Sequence, residues 1–166
     1  TNTGAWNFGG DASAIADQSH GGVIDDLSLT LTTIGANSSF FITLHLSQCS
    51  NNDMDGGYNF GGGIFYSIDS YANPLSQGNA AGSRSRVTFG NWTNYRSHDY
   101  ATHDMGCQIS HTSSLAKGAT LSYRTVMSSG YTSGGNILRV NRDRVDANGS
   151  TYIRTVSTFR VMEIAT

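Results

Sequence analysis

The chain has 166 residues, a mass of 17.7 kDa and a formal net charge of −2. Charged residues make up 13% of it, about half the share in an average domain, and no basic excess points to a nucleic-acid or membrane partner. Lys117 is the only lysine and Glu163 the only glutamate, so strong helix formers are scarce and a mainly helical fold is excluded. The length fits one domain over residues 1–166, and because the chain begins with Thr1, residues 1–10 are expected to be a junction left by trimming.

The first predicted strands follow one another closely. Leucines alternate with hydroxyl residues at 27–32, which is typical of a half-buried strand, and the apolar segment 40–46 predicts a second strand. A turn at Gly35–Asn37 separates them, so the two are predicted to form an antiparallel hairpin. Further strands are predicted at 63–68 and 85–89, with surface loops at 50–57, 70–82 and 91–104.

The second half of the chain continues the pattern. Strands are predicted at 105–111, 119–127 and 136–141, and Asn148-Gly149 favours a tight turn that leads into a strand at 151–153. With a last strand at 157–164, the chain has about eight to ten short strands. That number predicts an all-β fold of two antiparallel sheets, a sandwich or jelly roll.

The last strand has apolar residues on both faces. Phe159 and Val161 alternate with Met162 and Ile164, so the strand should be covered on both sides. A terminal edge strand of this kind is prone to aggregate unless something caps it, and a partner subunit is the simplest cap. A central position in the sheet would satisfy the pattern equally.

The last third of the chain resembles the end of many phage virion proteins. The resemblance lies in Tyr123-Arg124, in the segment 138–142 and in the terminal segment 157–165, which recur there in this order. Those domains have the jelly-roll fold shared by tumour necrosis factor and the complement globular head. The resemblance covers about 45 residues well, and the segment 47–104 does not align with it.

The resemblance implies a compact homotrimer with the C-terminal strand near the threefold axis. It implies an interface formed by the apolar and aromatic residues of two strands, namely Phe159, Val161, Met162, Ile164 and Tyr123. Such a domain sits at the tip of a tail fibre or spike, or projects from a capsid or appendage. Its partners would be copies of itself and other virion proteins, at the virion surface.

Two short segments carry metal-ligand types. His98 and His103 each precede an aspartate, and imidazole with carboxylate suits a transition metal. Asp53 and Asp55 lie in a segment like the first half of a calcium loop, but Gly62 stands where the bidentate glutamate should be. Both segments are also ordinary polar loops, and no cofactor is predicted.

An aromatic loop suggests a sugar-binding surface. Rings that stack on C–H faces occur there beside amides that can bond hydroxyls: Asn91, Trp92, Asn94, Tyr95 and Tyr100. Trp92 could equally anchor the loop onto the core.

Chemistry of other kinds finds little support in the sequence. Cys49 and Cys107 could form a disulfide or remain separate thiols, and their number excludes a CxxC zinc site. No nucleophile elbow is present, and no carboxylate pair is placed for sugar hydrolysis, so an enzyme is not predicted.

Two functions follow from these patterns. The first is a non-enzymatic, trimeric jelly-roll domain of a phage virion that serves host attachment, with surface glycans as the host partner, or exterior capping. The alternative is a monomeric, lectin-like β-sandwich that binds carbohydrate.

Overall fold

The computed structural model of the chain describes residues 5–7, 22–51, 59–79, 86–92, 102–129, 137–141 and 155–165. These residues contain nine strands and one short 3-10 turn at Ser67–Asp69, with no α-helix. The strands are β1 (Ala5–Asn7), β2 (Gly22–Thr32), β3 (Ser39–Asn51), β4 (Asn59–Tyr66), β5 (Phe89–Trp92), β6 (His103–Thr112), β7 (Thr120–Ser129), β8 (Ile137–Arg139) and β9 (Thr158–Ile164).

The strands form two antiparallel sheets. The first sheet has the order β1-β8-β3-β6, with β9 also paired to β3, and the second has the order β2-β7-β4-β5. The prediction of an all-β fold with two antiparallel sheets is therefore confirmed. In the part of the chain that the structure describes, no helix is long and apolar enough to cross a membrane.

The antiparallel pairs are nested within one another. β4 pairs with β5, and the pairs β3·β6, β2·β7 and β1·β8 follow outward from it in sequence, each formed by the strands that flank the previous pair. Successive pairs alternate between the sheets: β4·β5 and β2·β7 lie in the second sheet, and β3·β6 and β1·β8 lie in the first.

The predicted hairpin between β2 and β3 is wrong. The turn exists, but it carries the chain from the second sheet to the first, and its backbone bonds to a different loop. The amides of Thr33 and Asn37 each lie 2.9 Å from a carbonyl oxygen, that of Ala119 and that of Leu115 respectively. Alternation of apolar and polar residues gives each strand one apolar face. Two such strands can bury these faces either as neighbours in one sheet or as strands that face each other across the core, so the alternation does not determine the pairing.

The strand predicted at 85–89 is displaced. β5 begins at Phe89, where the predicted strand ends. The residues before it are tied to a loop instead, because Gly78 bonds through its amide to the Val87 carbonyl at 3.2 Å and through its carbonyl to Arg86 Nε at 2.7 Å. The turn at 148–149 and the strand predicted at 151–153 lie outside the described residues.

The core lies between the sheets and consists mainly of apolar side chains. Its largest fully buried side chains come from both sheets: Ile24, Phe40, Ile42, Leu44, Leu46, Ile64, Leu121, Tyr123 and Met127. Burying an apolar side chain of this size contributes about 1.5–3 kcal/mol. The core therefore fixes which face of each strand points inward.

The outer face of the second sheet is covered by the chain itself. Phe65 and Val126 point away from the core side chains of their strands and are nevertheless completely buried. The segment after Asp69 covers them, since a Cβ atom at Gly63, opposite Val126, would lie 2.5 Å from Pro74 Cβ, and the Arg124 guanidinium lies 3.8 Å from the centre of the Tyr71 ring. The outer face of the second sheet is thus covered around Phe65 and Val126, whereas Thr30 and Thr32 of β2 remain exposed.

Candidate functional site

β9 is an edge strand of the first sheet. It pairs with β3 from Thr158 opposite His45 to Ile164 opposite Ser39, and no other described strand is hydrogen-bonded to it. The sequence left open whether this strand was central or at an edge, and the described strands place it at an edge. Among the described strands, the backbone edge of β9 that faces away from β3 is therefore unpaired.

The two faces of β9, both expected to be covered, differ in burial within the single chain. Phe159 and Val161 point inward, are half-buried and pack against the core. Met162 and Ile164 point outward and remain 56% and 52% exposed. Large apolar side chains with this exposure are unusual when they stand together on one strand.

Neighbouring residues of β3 extend this surface. Ser39, Phe41 and Thr43 lie opposite Ile164, Met162 and Arg160, and cross-strand partners share one face of a sheet. We call the outer surface formed by these six residues the β9 face. It has one charged side chain, that of Arg160, and the half-buried Phe41 at its centre.

Tyr123 does not lie on the β9 face. Its side chain is 0% exposed and belongs to the core of a single chain, so it cannot contact a partner through an exposed surface. Of the five residues placed at an interface by resemblance, Met162 and Ile164 are exposed, and Phe159 and Val161 face inward. Phe41 was not singled out from the sequence, although the inward alternation of Phe40, Ile42 and Leu44 puts it on the opposite face.

The start of β9 is fixed by a polar network around a bulge in β3. The Ser157 hydroxyl accepts a hydrogen bond from the Ser47 amide at 3.0 Å and donates to Asn141 Oδ1 at 2.6 Å. On the other side of the bulge, Asp104 accepts from the Gln48 amide at 2.9 Å. These bonds hold the edge strand in register where its pairing begins.

The end of β9 is fixed by Glu163. Its carboxylate accepts hydrogen bonds from the Ile34 amide at 2.9 and 3.0 Å and from the Gly35 amide at 3.1 Å. Desolvation alone would raise the pKa of Glu163, but the neighbouring Ser38 side chain and the hydrogen bonds from these two amides hold it below its ordinary value. The turn that carries the exposed Ile34 is thereby tied to β9.

The substitution Glu163→Gln should release this turn. Glutamine keeps one acceptor oxygen but loses the charge and the second acceptor, so hydrogen exchange at the amides of Ile34 and Gly35 should become faster. Because the folded pKa is lowered, the stabilisation by Glu163 is present above the unfolded pKa of about 4.5 and is lost as the pH falls through the folded value.

Hydrogen exchange followed by mass spectrometry or NMR at several pH values measures both effects. The wild type should lose protection at Ile34 and Gly35 in acid, and Glu163→Gln should already lack it near neutrality. Asp104→Asn is the matched control, because Asp104 binds the bulge of β3 and not this turn. Unchanged exchange in Glu163→Gln would contradict the assignment.

The predicted metal ligands are not brought together in the described part of the chain. His103 lies at the start of β6 opposite Cys49, while His98, Asp53 and Asp55 lie outside the described residues. Among the residues described, no group of three or more histidine, cysteine, aspartate or glutamate side chains could hold a metal ion.

Only two of the predicted sugar-binding residues fall within the described part of the chain, and only with their backbones. The backbones of Asn91 and Trp92 end β5, where they pair with Phe60 and Asn59. Their side chains, and the whole of Asn94, Tyr95 and Tyr100, lie outside what the structure describes. The prediction of a glycan surface remains a prediction.

The two cysteines are separate thiols. Both are free, Cys49 near the bulge of β3 and Cys107 in β6. Burial raises the pKa of Cys49 to about 12, with a further contribution from Asp104, and raises that of Cys107 to about 11. Both are therefore protonated near neutral pH and are weak nucleophiles.

The fold is an all-β sandwich that is covered by its own chain around Phe65 and Val126 and carries exposed apolar side chains at the β9 face. No protein-family model matches the chain, and no curated protein matches it significantly.

Proposed function

We propose that this chain is a non-enzymatic structural domain that forms a homotrimer through the β9 face. The observation that carries the proposal is the pair of exposed apolar side chains, Met162 and Ile164, beside Phe41 on a nearly uncharged sheet surface. The centre of a protein–protein interface is typically depleted of charge and enriched in aromatic residues and methionine. The β9 face has this composition.

The nested strand pairs support a jelly-roll topology. A jelly roll is an eight-stranded double sheet in which an antiparallel ribbon is wrapped so that its strands are shared by both sheets. The pairs β1·β8, β2·β7, β3·β6 and β4·β5 fit that arrangement, with β9 added beside β3. This is the topology that the resemblance of the C-terminal third to phage virion domains implies.

The contrast between the two sheets supports a second copy as the occupant of the β9 face. The large apolar residues on the outer face of the second sheet, Phe65 and Val126, are already buried within the chain, and the exposed residues of that face, Thr30 and Thr32, are polar. In the first sheet, Met162 and Ile164 stay exposed. A copy of the same chain brings an equally apolar surface, and a threefold arrangement around β9 buries all three copies of it.

A domain of this kind would be part of the outside of a virion, with other virion proteins as partners. Its polar loops would serve host attachment, or the domain would cap an exterior appendage. Three of the described carboxylates favour such a passive role, because Asp69, Asp104 and Glu163 accept backbone hydrogen bonds that fix loops and bulges. The two protonated thiols offer no nucleophile.

The native mass tests this proposal. Light scattering behind size-exclusion chromatography should give three times the chain mass of 17.7 kDa. A monomer at all accessible concentrations would overturn the trimer and favour the monomeric carbohydrate-binding module instead. That alternative would then be tested by glycan binding that is lost in Trp92→Ala.

A further inference from the structure

His111 connects the two sheets from within the sandwich. It lies in β6, opposite the buried Phe40 of β3, and its ring points toward the second sheet. Its Nδ1 atom is 2.9 Å from the hydroxyl oxygen of Tyr123, which belongs to β7. A side-chain hydrogen bond thus joins the sheets at a position where most contacts are apolar.

Aromatic rings surround the imidazole. The centre of the Tyr66 ring is 4.7 Å from that of His111, and the Phe40 ring is at 6.2 Å. Tyr123 meets the imidazole edge-on, with an interplanar angle of 87°. The rings of three different strands therefore leave the imidazole only partly accessible to solvent.

Few charged groups face this cluster. Asp69, on the turn after β4, acts on His111, and Glu163 of β9 acts on Tyr123; the remaining titratable neighbours are the phenols of Tyr66 and Tyr123. Burial lowers the pKa of His111, and Asp69 offsets only part of that effect. Burial also raises the pKa of Tyr123, so this phenol stays neutral.

We propose that His111 is a pH-sensitive latch that holds the two sheets together while its imidazole is neutral and loosens them when it is protonated.

The chemistry of the two forms explains the latch. A neutral imidazole has one donor and one acceptor nitrogen, and either can be paired by the Tyr123 hydroxyl. After protonation both nitrogens are donors, so the Tyr123 hydroxyl can only accept a hydrogen bond from His111. Its own proton must then point toward the surrounding aromatic rings. The positive charge is also partly removed from water.

The sign of the pH dependence follows from the lowered folded pKa. As the pH falls below the unfolded value of about 6.5, the unfolded chain takes up the proton before the folded chain does. The unfolding constant should therefore rise by up to about tenfold per pH unit from there down to the folded pKa. Above pH 6.5 this contribution to the pH dependence should vanish.

Two measurements on the full chain test the latch. NMR titration of the histidine rings should show one ring with a pKa below 6.5. The signal of this ring should be absent from the double variant His111→Phe/Tyr123→Phe, which assigns it to His111. Denaturant unfolding from pH 8 to pH 5, at one fixed protein concentration, should show the acid-dependent loss in the wild type and not in this double variant. The double variant removes both polar partners, so no buried hydroxyl is left unpaired.

His45→Gln is the matched control, because His45 is an exposed histidine of the same sheet that lies 3.7 Å from Asp104. It should keep the acid-dependent loss. A His111 ring that titrates at or above 6.5 would overturn the latch even if the double variant failed to fold, and so would a double variant with the wild-type pH dependence. The latch lies within one chain, so the same titration on Met162→Asp/Ile164→Asp separates it from assembly.

Discussion

The double substitution Met162→Asp/Ile164→Asp is expected to reduce the native mass from three chains to one. Both side chains are more than half exposed in the single chain, so the fold itself should tolerate the change. Because each is already about half buried, an interface would add about half of the roughly 1.5–3 kcal/mol of full burial for each side chain, and the six carboxylates brought together by three copies of the variant would repel one another. Light scattering gives the mass, and circular dichroism shows whether the β-structure is retained.

Ile68→Asp is the matched control for this experiment. Ile68 is 43% exposed and lies on the 3-10 turn after β4, away from β9. The substitution Ile68→Asp introduces a carboxylate at a comparably exposed apolar position and should leave the trimer intact. A double variant with the wild-type mass, or a control that dissociates equally, would contradict an interface at the β9 face.

The substitution Gly62→Ala is expected to destabilise the fold by about 3 kcal/mol or more. Gly62 lies in β4 between β5 and β7, and a methyl group there would overlap the Val126 carbonyl oxygen and approach Phe89 Cζ to 2.8 Å. Both neighbours are held in the sheet or the core, so neither can move away cheaply. Chemical denaturation should show a much lower midpoint, or the variant should fail to fold.

Gly78→Ala separates this clash from the general effect of replacing a glycine. A Cβ atom at 78 would have the Val87 carbonyl oxygen as its nearest neighbour, at 3.9 Å, and the loop bonds there use only the backbone of Gly78. Its stability should change by no more than about 0.5 kcal/mol. Equal stability of the two variants would contradict the close packing of β4 against β7.

The strands themselves were largely predictable, because each alternation is local. Leu121, Tyr123 and Met127 mark the inward face of β7, and β9 shows the two faces that the sequence indicates. The partner of each strand was harder to predict from the sequence, because the same alternation fits two strands that are neighbours within a sheet and two strands that face each other across the core. The wrong hairpin between β2 and β3 has this cause.

The candidate site was predictable only in part. The apolar residues on both faces of β9 could be found from the sequence, but which face stays exposed depends on the edge position of the strand, which the sequence left open. The role of Glu163 could not be found, since the Ile34 amide that it binds is 129 residues away along the chain. The same holds for His111 and Tyr123, whose contact depends on which inward faces meet across the sandwich.

Oxidation of the methionines tests the central claim, the burial of the β9 face by a second copy, most directly. Met162 is 56% exposed in the single chain, whereas Met127 is fully buried. Methionine is oxidised to its sulfoxide according to its access to solvent, and mass spectrometry of peptides gives the rate at each site. If the β9 face is the interface, Met162 should react almost as slowly as Met127 in the unmodified protein and many times faster in the variant Ile164→Asp. Rapid oxidation of Met162 at the same rate in both proteins would contradict the account.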